Sequence, residues 1–186
     1  MWDKTEENIS IPATDMEHYA EHPDVIFVCV KGYSLQETIP FIKRIARKNT
    51  IVIPVLNIYG TGGKMQKELP DLLVTDGCIY VSANIKEPGK LLQHGQILHI
   101  VFGVRDKAEF RPELKEIQKD LCDSHIDGTL SENIRREALE KFSYVSPIGA
   151  AGLYYHATAA DFQKEGEARE LFKTMICLLY TSPSPR

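Results

Sequence analysis

The sequence predicts an α/β protein: part of a parallel-sheet domain, followed by the start of an all-helical domain. Three observations carry that expectation. Asp24 to Val30 (DVIFVCV) and Thr50 to Leu56 (TIVIPVL) are short runs rich in Val and Ile, the pattern of strands covered on both faces. A helical stretch separates them, which makes a strand, helix, strand unit. From Ser131 onward the apolar spacing is helical only.

After the first run, Ser34 is of the helix-capping type and Glu37 follows three residues on, the pattern of a capping box. Leu35, Ile39, Ile42 and Ile45 then form one apolar face up to Ala46, with Pro40 predicting a ragged start. GTGGK, Gly60 to Lys64, is neither a dinucleotide fingerprint nor a phosphate-binding loop and predicts the start of the next helix. Gly77 to Ile85 and Ile97 to Gly103 predict two antiparallel strands added at the sheet edge, joined by a KEPGKLLQHGQ turn. Pro112 to Cys122 predicts a short helix, HIDGT a linker, and Ser131 a helix cap. The domain boundary therefore falls near Thr129 or Leu130, dividing the chain into residues 1–129 and 130–176.

The ending, CLLYTSPSPR, abandons the amphipathic pattern near Ile176. Back-translated in one frame (TGT CTC TTA TAC ACA TCT CCG AGC CCA CGA), it resembles an adapter used in transposon-based DNA library preparation. Residues 177–186 are thus expected to be adapter read-through, and the chain a fragment of a longer protein.

Composition narrows the partners. With 43% hydrophobic residues the chain can build a core, and its 22 basic and 26 acidic residues, net −4, are well mixed. No basic stripe marks a nucleic-acid or membrane surface, so a small molecule or another protein is expected. No apolar run reaches the roughly 20 residues of a membrane helix and no leader opens the chain, so a cytoplasmic location is expected. Cys29, Cys78, Cys122 and Cys177 form no CxxC pair and read as reduced thiols. HYAEH, His18 to His22, matches an inverted zinc-protease signature on one helical face, but no third ligand is assignable and no metal is expected. His94, His99, His125 and His156 read as surface or packing residues, and Tyr154, Tyr155 and Phe162 as packing between helices.

Ligands of an open parallel sheet lie outside the carboxyl ends of its strands. Lys31 and Asn57 stand there, although strand exits are also simply polar. A second lysine comes from the helical part. With Ser131 to Ser146 as a helix and roughly 100° per residue, Ile134, Ala138, Phe142 and Val145 form one stripe and Lys141 falls inside it. A lysine there must snorkel, find a carboxylate or face a cavity. Glu137, one turn earlier, is the structural partner on offer; a cleft between the two domains is the alternative.

In this order and spacing, VCVKGYSLQE, VLNIYG, EPGKLLQHGQILHIVFG and SENIRREALEKFSYVSPIGAAG resemble the 2-dehydropantoate 2-reductase (ketopantoate reductase) family over roughly Asp24 to Met175. The resemblance implies a Rossmann-type domain, then a helical one, and NADPH-dependent reduction of ketopantoate to pantoate on the route to pantothenate and coenzyme A. It implies Lys141 as the general acid, and Lys31 and Asn57 as residues binding both cofactor and substrate. A 2-oxo acid is the implied partner, with a homodimer as the assembly.

The sequence also departs from the family pattern. No GxGxxG precedes Asp24, so the first strand, helix, strand part of the domain is expected to be missing. Where the family has asparagines one and two turns after its lysine, this chain has Val145 and Gly149, so polar substrate contacts are expected from Ser143 or Ser146. The family's late glutamate and serine have no counterpart, and the fragment is expected to be inactive alone. Two further readings follow: a non-catalytic interaction module joined through its open sheet edge, and a reductase of another 2-oxo acid.

Overall fold

The structure is a computed structural model and describes residues 7–181. Strand β1 (Val25–Val28) leads through a one-turn 3-10 helix (Gly32–Ser34) into helix α1 (Leu35–Ile45). Strand β2 (Ile51–Pro54), helix α2 (Thr61–Glu68) and strand β3 (Leu73–Val74) follow. These three strands pair in parallel in the order β1-β2-β3, which is the expected crossover unit extended by one strand.

Strand β2 is buried along its whole length because both faces are covered. Ile51, Ile53 and Val55 point into one core together with Ile100, Phe102 and the apolar face of helix α3 (Glu113–Asp123), namely Leu114, Ile117 and Leu121. Val52 and Leu56 point into the other, against Ile39 and Ile42 of α1 and Met65 of α2. The alternation places helices on both sides of the sheet. Strand β1 differs from expectation: Phe27 is 37% exposed, because β1 is the outer strand of this sheet. Ser34 makes no side-chain capping bond; it ends the 3-10 turn, and α1 continues through Pro40.

The hairpin is longer than expected and forms its own sheet. Strands β4 (Asp76–Glu87) and β5 (Lys90–Gly103) pair antiparallel around a turn at Pro88 and Gly89, where Gly89 adopts a left-handed φ of 79°. The segment read as a linker is strand β6 (Asp127–Leu130), parallel to β5, giving the order β4-β5-β6. It is held from both sides, since Gly128 accepts from Gln118 of α3 while its neighbours pair with β5.

Helix α4 (Ile134–Tyr155) starts later than Ser131 and runs further than Ser146. Asn133 is the cap, accepting from the Arg136 N–H at 3.3 Å. Helix α5 (Glu167–Thr181) packs on α4 and continues past Ile176 through Cys177 to Thr181; residues 182–186 lie outside the described residues. Phe162 is buried against Phe172, whereas Tyr154 is largely exposed rather than packed between helices. Among the described residues no helix is long and apolar enough to cross a membrane.

Candidate active site

The stripe on α4 faces the sheet, and where it meets the carboxyl end of β2 it leaves a small recess, with about 10 Å³ of room for the centre of a water-sized sphere. Leu56, Asn57, Ile58 and Tyr59 line it from the loop after β2, Gly77 and Cys78 from β4. Ala138, Lys141, Phe142 and Val145 line it from α4. Two residues singled out from the sequence, Asn57 and Lys141, therefore share one cavity although 84 positions separate them.

Lys141 is 9% exposed. Its predicted partner, Glu137, is engaged elsewhere: the Ser131 hydroxyl donates to the Glu137 carboxylate at 2.8 Å. Lys141 Nζ instead donates to the main-chain carbonyl of Ile79 on β4 and lies 4.8 Å from the centroid of the Tyr80 ring. Burial holds the Lys141 amine below the ordinary lysine range, with the nearby Cys78 acting second and in the opposite direction. Burial likewise raises the Cys78 thiol, while Lys141 draws it down. The Tyr80 phenol is pushed up to about 12, first by burial and then by Cys78, so it remains neutral.

Lys31 stands exposed at the cap of the 3-10 turn after β1, and Asn57 is exposed after β2, so both occupy carboxyl ends of adjacent parallel strands. The two loops touch, because Gly32 lies directly against the Ile58 side chain. The serines stand apart. Ser143 is about 200° around α4 from Lys141; it is buried toward α5, donating its one hydroxyl proton to the Glu140 carbonyl at 2.8 Å and lying 3.2 Å from the Tyr180 hydroxyl. Ser146 is half-buried and also lies outside the recess, whose lining at that level is Val145. Helix rotation thus replaces the expected hydroxyls with Ala138, Phe142 and Val145.

Sequence reasoning did not single out Tyr80 or Cys78. Their signal was strand alternation, which turns Cys78 and Tyr80 to the same side of β4, but a strand pattern does not reveal which helix covers that side. His18 and His22 occupy a turn and a loop rather than a helix: His18 approaches Asp15 at 2.7 Å and His22 the Ile45 carbonyl at 2.8 Å. Among the described residues no three metal-ligating side chains cluster, and all four cysteines are free thiols.

The family model described as ketopantoate reductase PanE/ApbA matches residues 3–107. A 2-dehydropantoate 2-reductase from Aquifex aeolicus is 19% identical over 163 residues, which are 88% of this chain and 53% of that protein. The chain thus spans about half the length of the curated relative it matches. The structure is similar to that of 2-dehydropantoate 2-reductase from Porphyromonas gingivalis, with a TM-score of 0.74 and 24% identity over 83% of this chain and 54% of that one. It is equally similar to D-mandelate dehydrogenase solved with NADH, with a TM-score of 0.74 and 19% identity over 84% and 52% of the respective chains.

Proposed function

Because the chain belongs to the ketopantoate reductase PanE/ApbA family of oxidoreductases, we propose that it serves the NADPH-dependent reduction of ketopantoate to pantoate, a step toward pantothenate and coenzyme A. The observation that carries this reading is the meeting of Asn57 and the buried Lys141 in one recess at the carboxyl end of a parallel strand.

The residues of this chain fit a dinucleotide and a 2-oxo acid in part. Lys31 is an exposed cation suited to a phosphate or carboxylate, and Asn57 an exposed amide suited to a carbonyl or hydroxyl. When bound, the reduced nicotinamide supplies a hydride to the ketone carbon. The ketone oxygen then becomes negative, and Lys141 is the group that protonates it from Nζ. A lysine whose burial lowers its pKa gives up that proton more readily than an exposed one. The ammonium has three protons and spends one on the Ile79 carbonyl, which leaves donors for the substrate. Asn57 can donate to the same substrate without adding a competing charge.

The test is oxidation of NADPH on addition of ketopantoate, for this chain and for the product of the complete source gene. Turnover that falls by about two orders of magnitude or more in Lys141→Ala, with the far-ultraviolet dichroism unchanged, is the expected result. Turnover in Lys141→Ala close to the parent's would overturn the assignment. One observation favours a second reading, another 2-oxo acid: Val145 lines the recess where the family pattern has an asparagine. A substrate panel that prefers acids with apolar side chains over ketopantoate would select it.

A further inference from the structure

Lys141 is nearly removed from water, and burial alone drives a lysine to shed its proton. What opposes that here is unusual in containing no carboxylate contact. Glu137 accepts from Ser131 and Glu140 from Arg136, each at 2.8 Å, and the only hydrogen bond of the ammonium among the described residues goes to the neutral Ile79 carbonyl. The remaining contact is the ring of Tyr80, 4.8 Å from Nζ to centroid, well inside the range in which a ring quadrupole attracts a cation.

That ring is itself held. His99, opposite Tyr80 in the β4-β5 register, stacks on it with centroids 5.5 Å apart and planes 22° from parallel. His99 in turn lies 3.1 Å from the Thr129 hydroxyl and 3.8 Å from the Asp127 carboxylate, both on β6. Three strands of the second sheet therefore back one aromatic ring, and that ring meets the one ammonium that reaches the recess from α4. The phenol remains protonated, so the ring stays neutral and does not become a phenolate partner.

We propose that Tyr80 is a positioning residue for Lys141: its ring seats the ammonium at the mouth of the recess and favours its charged form, and β5 and β6 fix the ring through His99. The consequence for turnover rests on the reductase reading above, whereas the seat does not. The titratable groups around the pair are Cys78, Glu137, Glu140 and His99.

The experiment is to titrate the Lys141 side chain by NMR in protein carrying 13C-labelled lysine, the signal being assigned by its loss in Lys141→Met. Tyr80 is replaced by Phe, then by phenylalanines bearing increasing numbers of fluorine atoms, which keep the ring's shape while draining its negative face. Tyr80→Phe is expected to titrate close to the parent, and the most fluorinated ring to lower the midpoint by about 0.5 to 1 unit. Identical midpoints across the series, or a Tyr80→Phe shift as large as that of full fluorination, would overturn the proposal. In turnover assays kcat is expected to fall along the series with KM little changed, because a ring that no longer holds the ammonium leaves it misplaced and less often charged, which outweighs its greater acidity. A graded titration without turnover when the same series is made in the product of the complete source gene, its parent included, would keep the seat and refute the reductase reading instead.

Discussion

Two adjacent glycines at the start of α2 should respond to alanine with opposite signs. Gly62 is buried where α2 meets the junction of β3 and β4, and a Cβ there would fall on the Thr75 carbonyl oxygen and the Asp76 carboxylate, well inside contact distance, with Arg105 Nη1 2.8 Å away. The nearest atom is backbone, so no side-chain rotation relieves the overlap; α2 must lift from the sheet. Overpacking of this kind costs about 1–3 kcal/mol, and a rigid neighbour argues for the upper end. At about 3 kcal/mol the melting temperature of a chain this size drops by roughly 6–12 °C. Gly63 meets nothing closer than Arg105 Cδ at 3.9 Å. There alanine only restricts the unfolded chain and improves helix propensity, a gain of about 0.5–1 kcal/mol. Urea unfolding of Gly62→Ala and Gly63→Ala, compared by midpoint at constant slope, reads the difference. Equal midpoints, or a Gly63→Ala variant less stable than Gly62→Ala, would refute the packing of α2 described above.

Two further outcomes test the electrostatics. Since burial depresses the Lys141 amine, the amine is charged in both states at low pH and its full penalty is felt there; the penalty is relieved as pH rises from the folded-state value to the ordinary lysine value of about 10.4, where the unfolded chain still holds its proton. Relative to the parent, Lys141→Met is therefore expected to lose ground as pH climbs toward about 10, and a difference independent of pH would contradict the burial of the charge. Asp76 and Arg105 form a buried pair with Oδ1 and Nη1 3.7 Å apart, and Nη1 has no hydrogen-bond acceptor. Asp76→Asn should cost about 3 kcal/mol by leaving the guanidinium uncompensated, and adding Arg105→Met should recover most of it; additive losses would show that the two are not coupled.

Much of the first sheet was legible because its signals are local. The Val and Ile run before Asn57 is buried between helices, the run before Lys31 forms the outer strand with Val28 buried, and the spacing of Ile39, Ile42 and Ile45 became the inner face of α1. The α4 stripe was legible for the same reason: Ile134 is 1% exposed, and Ala138, Lys141, Phe142 and Val145 face the recess together. What failed depended on partners distant in the chain. Asp127 and Gly128 of HIDGT are poor strand formers and join a strand only because β5 offers them a parallel edge and α3 covers them. Ser131 has a cap's chemistry but uses its hydroxyl to hold Glu137 and to accept from the Asn133 N–H, so the helix starts later.

Local pattern specified which residues share a face, because side-chain period along a strand or helix is fixed by backbone geometry alone. It thereby brought Lys31 and Asn57 to strand ends and turned Lys141 inward. What each inward group meets was set by how the elements dock. Lys141 was equally compatible with a Glu137 ion pair one turn away and with a cavity, and the choice fell to a main-chain carbonyl and an aromatic ring more than 60 positions earlier in the chain. Contacts of that kind arise when two independently formed surfaces dock, and nothing in the local pattern of either surface encodes the register in which they meet.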